Sequence, residues 1–210
     1  MEYAGCIAGL GNPGKEYDGT RHNLGFAALD ALLEECARSG QLERLSGGRF
    51  TCELWRCRLP GGTSWHLAAK PMTYMNLSGE ALRALLHWHR LSALQLLVAH
   101  DELDFKPGIV RFKFGGGAAG HNGLASIIRQ LGTRDFYRLR IGIGRIAGCD
   151  AAQWVLARPA PDERPVLANA IRTALRGILL FVGHGPDAAM NFLHGLPPDP
   201  DGGTVADDRL

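Results

Sequence analysis

Seven polar side chains fall at the ends of apolar strand-like segments or at helix starts: Asn12, His22, Asn23, Asn76, Asp101, His121 and Asn122. In open α/β sheets, sites gather outside the carboxyl ends of strands. An imidazole with an ordinary pKa of about 6.5 accepts a proton near neutrality. A carboxylate can hold such a ring in one tautomer, and side-chain amides can donate to a carbonyl or accept from water. For any one of these residues taken alone, a cap or a turn is the commoner role. Asn122-Gly123 is a frequent turn pair, and Asn76 could cap a helix. His100, next to Asp101, is a rival base. Alternation along a strand sends neighbouring side chains to opposite faces, so His100 is expected to pack or cap instead.

Other chemistries fit less well. Gly9-Leu10-Gly11-Asn12-Pro13-Gly14 matches the dinucleotide fingerprint. That fingerprint requires the glycines to open a helix directly, with an acid at the end of a second strand. Here Pro13 interrupts the glycines, a further stretch separates Gly14 from the expected helix, and the next acids, Asp30 and Glu34, fall inside that helix. A second glycine loop, GGGAAGHNG, lacks the Gly-Lys-Ser/Thr ending of a P-loop. There is no G-x-S-x-G elbow and no HExxH, and His87 and His89 diverge on a helix, so neither a serine nucleophile nor a metal is expected.

The elements that must position these groups follow from periodicity. Residues 3–10 read as a buried strand and residues 22–38 as a helix, with Phe26, Leu29, Leu33 and Cys36 on one stripe and Gly40 as its stop. Residues 50–59 and 63–70 form a hairpin about Pro60-Gly61-Gly62. A helix is predicted over residues 78–90, a strand over 94–99 leading into His100-Asp101, and another over 109–114. A helix over 122–131, a strand over 137–144 and helices over 162–183 and 186–194 complete the order. The expected fold is a single-domain three-layer α/β sandwich, with a mixed, partly parallel central sheet flanked by helices. Residues 1–195 are expected to form the domain, and residues 196–210, rich in proline, aspartate and glycine, a mobile tail.

The 210 residues suit one domain. No apolar run reaches the roughly 20 residues of a membrane span, and the MEYAGCIAGLG start has no basic lead. The cytoplasm is therefore the default. Five cysteines without a C-x-x-C pair read as reduced core thiols. The net charge is only +2, but residues 106–145 carry eight basic residues against one acid, Asp135. Such a local basic surface is the footprint expected for a phosphate backbone.

Four stretches, GLGNPGKEYDGTRHNLGF, KPMTYMNLSGEALRALL, HDELDFKPGIVRFKFGGGAAGHNGLASII and LGTRDFYRLRIGIGR, together resemble the bacterial-type peptidyl-tRNA hydrolase family in order and spacing, over about half the chain. The glycine loop departs from it in having Ala118-Ala119, and the tail after Gly195 is long. The resemblance implies a cytoplasmic, monomeric, metal- and cofactor-independent enzyme that hydrolyses the ester joining a peptide to the 3′ end of tRNA. It implies His22 as general base, Asp101 as its orienting carboxylate, and Asn12 and Asn122 in the catalytic group. Tyr17, Asn23, Tyr74, Met75, Asn76, His121 and Asn122 are implied as substrate contacts. Lys113 and Arg140 are implied as a tRNA phosphate clamp, which Arg111 would widen from the same strand face. An RNA-binding module without catalysis would need the basic surface but neither the base nor its carboxylate. A peptidase or nucleoside-processing enzyme would need metal ligands or a base pocket that the sequence does not supply.

Overall fold

The computed structural model describes residues 2–60, 62–145, 148 and 150–196. The expected tail, all but its first residue, lies outside them, as does Cys149. The elements run β1 (Cys6–Gly9), α1 (Leu24–Arg38), β2 (Leu42–Leu45), β3 (Cys52–Cys57), β4 (His66–Pro71), α2 (Ser78–Trp88), β5 (Leu96–Glu102), β6 (Val110–Phe114), α3 (Asn122–Leu131), β7 (Tyr137–Gly142), α4 (Ala151–Leu156), α5 (Glu163–His184) and α6 (Pro186–Gly195). They build a seven-stranded sheet of order β2-β3-β4-β1-β5-β7-β6. β1 pairs in parallel with β4 and β5, and β5 with β7, while β2–β3, β3–β4 and β6–β7 are antiparallel. The sheet is mixed, with parallel strands at its centre, as the alternation of elements predicts.

Period-two alternation divides the core into two layers. Ile7, Ala68, Leu97, Ala99, Leu139 and Ile141 face α1, α5 and α6. Cys6, Ala8, Leu67, Ala69, Leu96 and Val98 face α2 and α3. The four cysteines at 6, 36, 52 and 57 are free and buried, and burial pushes the Cys52 thiol up to about 12. They are reduced core thiols, as expected. By length and composition α5 could cross a membrane. Here it packs on the sheet through Leu167, Ala170, Ala174 and Ile178, and Arg172 and Arg176 interrupt its apolar run.

Two elements escape the periodicity reading. β2 is a polar edge strand, LERL, whose Glu43 and Arg44 are exposed, so it has no apolar face to betray it. α4 has six residues, started by the Asp150 side chain accepting from Gln153 N–H. The strand predicted over 94–99 runs on through Glu102, which places His100 and Asp101 within β5 and not after it.

The glycines of the opening loop pack the chain together. A Cβ on Gly25 would lie 2.3 Å from the Ala99 carbonyl oxygen and 2.5 Å from the backbone of Leu10. Only glycine lets the start of α1 approach the ends of β1 and β5 this closely. Leu10 N–H donates to Ala99 O at 3.0 Å, and Phe26 N–H to Leu10 O at 3.0 Å. The three segments that carry Asn12, His22 and Asp101 are thus fixed by main chain before any side chain is considered.

Candidate active site

His22 lies in a short 3-10 turn, Arg21–Asn23, that leads into α1. Arg21 anchors this turn from behind. Its guanidinium bonds Glu163 and the carbonyls of Ala157 and Arg158, and stacks over Trp154 at 3.5 Å. Sequence reasoning passed over Arg21, since its partners lie more than 130 residues away. On the other side, His22 Nδ1 meets Asp101 Oδ1 at 2.8 Å. Both residues are buried. Among the described residues His22 Nε2 has no protein partner, so it is the nitrogen left to face a substrate or water.

The same carboxylate oxygen takes a second imidazole. His121, at the start of α3, places Nε2 3.1 Å from Asp101 Oδ1. Its Nδ1 accepts the N–H groups of Gly123 at 3.1 Å and Leu124 at 3.3 Å, capping the helix. A lone pair used at Nδ1 puts the proton on Nε2, so His121 donates to Asp101. Burial alone would raise the Asp101 pKa. The contacts from His121 and His22 outweigh it and hold the carboxyl well below the usual carboxylate range. His22, Asp101 and His121 offer ligand atoms within 4.8 Å of one another. However, the His121 atom on that side bears a hydrogen, so the trio suits a hydrogen-bonded chain and not a cation.

His100 sits under this group. Its ring packs edge-on against His121, with centroids 4.9 Å apart, and its Nδ1 donates to Asp101 O at 2.7 Å. Alternation does send His100 and Asp101 to opposite faces, but His121 touches both, so His100 is nearer the cluster than alternation suggests. Burial, with the His121 ring and Arg138 nearby, lowers its pKa to about 3 despite the pull of Asp101. His100 is therefore a neutral packed residue, as expected. An unfolded chain binds a proton at this position below about pH 6.5 and the native one does not, so stability must fall as pH drops from about 6.5 toward 3. The slope from this group approaches about 1.4 kcal/mol per pH unit. Denaturant titrations at several pH values are expected to show a flatter pH dependence for His100→Asn than for wild type.

The asparagines divide by what already holds them. Asn12 Oδ1 accepts Met75 N–H at 2.8 Å, which orients the amide and leaves its NH₂ without a protein partner among the described residues. Asn23 Oδ1 accepts Asn12 N–H at 2.8 Å, and its Nδ2 donates to Asn12 O at 3.0 Å. Asn23 thus clamps the Asn12 backbone. Met75 is buried, and its Sδ lies 2.5 Å from where a Gly123 Cβ would stand. Because position 123 has no side chain, the start of α3 seats on the turn Met75–Leu77. Asn76, within that turn, and Asn122, the first residue of α3, are both exposed. Tyr74 is 58% exposed, with Tyr17 edge-on to it at 6.5 Å between centroids.

The basic residues lie on paired strands. Arg111 stands opposite Arg140, and Lys113 opposite Arg138. Arg138 is buried and donates to the carbonyls of Gly116 and Gly117, so it holds the glycine loop. Burial, then the charges of Arg140 and Arg134, lowers its pKa to about 10. Arg140 is ion-paired to Glu102 at 2.9 Å and lies over Phe105. Arg111 donates to the Val110 and Leu193 carbonyls and ties α6 to the sheet edge. Both bonds come from one nitrogen of its guanidinium. Lys113 is exposed, with its Nζ against Gly116.

The sequence profile of peptidyl-tRNA hydrolase matches residues 6–200. A protein of Desulfovibrio desulfuricans named peptidyl-tRNA hydrolase is 52% identical over 90% of this chain and 83% of its own. One of Nitratidesulfovibrio vulgaris with the same name is 50% identical over 95% of this chain and 100% of its own. The crystal structure of peptidyl-tRNA hydrolase from Acinetobacter baumannii superposes with a TM-score of 0.83 at 34% identity, covering 92% of this chain and 96% of that one.

Proposed function

The chain belongs to the peptidyl-tRNA hydrolase family, and from that premise we propose how it cleaves the ester between a peptide and the 3′ end of tRNA. His22 Nε2 takes a proton from a water molecule as the water oxygen bonds to the ester carbonyl carbon. Asp101 stabilises the resulting imidazolium through Nδ1–H. The tetrahedral intermediate then expels the ribose 3′ oxygen, which receives that proton from His22. An ester has a good leaving group, so no covalent nucleophile is needed. The observation that carries this reading is the 2.8 Å contact between His22 Nδ1 and Asp101 Oδ1, which fixes the tautomer and leaves Nε2 as the acceptor.

Asn12 fills a donor role, because the Met75 N–H bond turns its carbonyl toward the fold and leaves its NH₂ free. Its NH₂, with those of Asn122 and Asn76, supplies hydrogen bonds to the peptide carbonyl or the developing oxyanion. Tyr17, Tyr74 and Met75 line the way in, and His121 borders it. Lys113 meets phosphate directly, and Arg140 joins it when tRNA competes with Glu102. A monomer working in the cytoplasm, without metal, cofactor or membrane contact, completes the reading.

Incubation with an N-blocked aminoacyl-tRNA and with its unblocked form, in the presence of a chelator, tests the reading. Release of free tRNA from the blocked substrate alone supports it. Release from neither, or loss of activity on chelation, overturns it. Affinity should fall steeply with salt, and Lys113→Ala should reduce the slope of log K against log[salt] by about 1. Arg140→Ala should reduce it less, because Glu102 already neutralises part of that charge. Equal slopes for wild type and Lys113→Ala would remove Lys113 from the clamp.

A further inference from the structure

Asp101 Oδ1 is shared. It receives His22 Nδ1–H at 2.8 Å from one side and His121 Nε2–H at 3.1 Å from the other. The His121 proton cannot move to the opposite nitrogen, because the first amides of α3 point at Nδ1. The helix end therefore dictates the tautomer, and the tautomer dictates a second donor on the carboxylate. Resting on the reading of His22 as base, we infer that His121 is a positioning residue: it holds Asp101 Oδ1 between two imidazoles and limits how strongly that oxygen can favour a proton on His22.

The physical reason is competition for one oxygen. A hydrogen bond stabilises a carboxylate in its charged form and disperses its charge. With two N–H donors on Oδ1, less of that charge is available to an imidazolium at His22 than with one. His121 then sets the pH above which His22 stands ready as a base. The titratable groups that face Asp101 are His22 from the turn before α1 and His121 from the start of α3, with His100 alongside on β5. Arg138 faces His100 from β7. None of the others places an N–H on Oδ1 among the described residues.

Two variants separate the cap from the tether. Asparagine at 121 keeps an acceptor for the helix amides but cannot reach Asp101 as the longer ring does. Glutamine reaches to about the position of Nε2 and donates there, but it caps poorly. His121→Asn is expected to keep the helix cap and to unfold only somewhat earlier than wild type, through loss of one donor to buried Asp101, while the acidic limb of its kcat/KM–pH profile moves up by about half a unit or more. His121→Gln is expected to unfold earlier, with the limb at its wild-type position. An unmoved limb in His121→Asn overturns the inference, as does an equal shift in both variants. His22→Ala, measured alongside, keeps the two readings apart. Full turnover in that variant removes the base assignment itself, whereas an inactive His22→Ala with an unmoved His121→Asn limb removes only the role given to His121.

Discussion

Replacing His22 by alanine is expected to lower kcat at least about a hundredfold, with KM and tRNA affinity close to wild type. A positioned general base contributes about 10²–10⁴-fold. The contribution exists only as the proton moves, so it appears in kcat and leaves ground-state binding alone. The variant also takes one of two donors from buried Asp101, which predicts a loss of about 1–3 kcal/mol in stability. Single-turnover release of tRNA, tRNA binding by anisotropy and a denaturant midpoint separate the three effects. Wild-type turnover in a folded His22→Ala protein would remove the proposed mechanism.

Asp101→Asn is the more discriminating change. Both imidazoles bond the same oxygen, so an asparagine carbonyl at that place can still accept from both. The tautomers are kept and only the negative charge is lost. In a triad whose amide replacement reverses the tautomer, the loss reaches about 10⁴. Here the expected loss is smaller, about 3- to 30-fold in kcat, because a hydrogen bond to a charged group is worth about 1.5–3 kcal/mol and one between neutral groups about 1 kcal/mol. The acidic limb of the rate profile should also move down, because the imidazolium loses its counter-charge. Wild-type kcat in Asp101→Asn would show that the carboxylate's charge does not assist the base.

The sequence was most legible where one face is buried and the period is regular. The helices near residues 24–38, 78–88 and 122–131 and the central strands were readable because their apolar stripes face a layer of core. His22 and Asp101 were readable from their places near strand and helix ends together with the family's spacing. Three features were not. The second donor on Asp101 depends on backbone amides of α3, which no residue type reveals. The Arg140–Glu102 pair joins neighbouring strands and marks down a cation that sequence counts at full charge. The bonds that tie Asn23 to the Asn12 backbone and one nitrogen of Arg111 to the Leu193 carbonyl depend on main chain that the motifs do not place.

The turn bearing His22 is held by Arg21, whose ion-pair partner is Glu163, 142 residues further along the chain. While the ribosome is making this protein, the growing chain is itself attached to a tRNA by the kind of bond the finished enzyme cuts. Until Glu163 has emerged from the ribosome, the turn bearing His22 lacks this ion pair, so the support of the base is completed only late in synthesis.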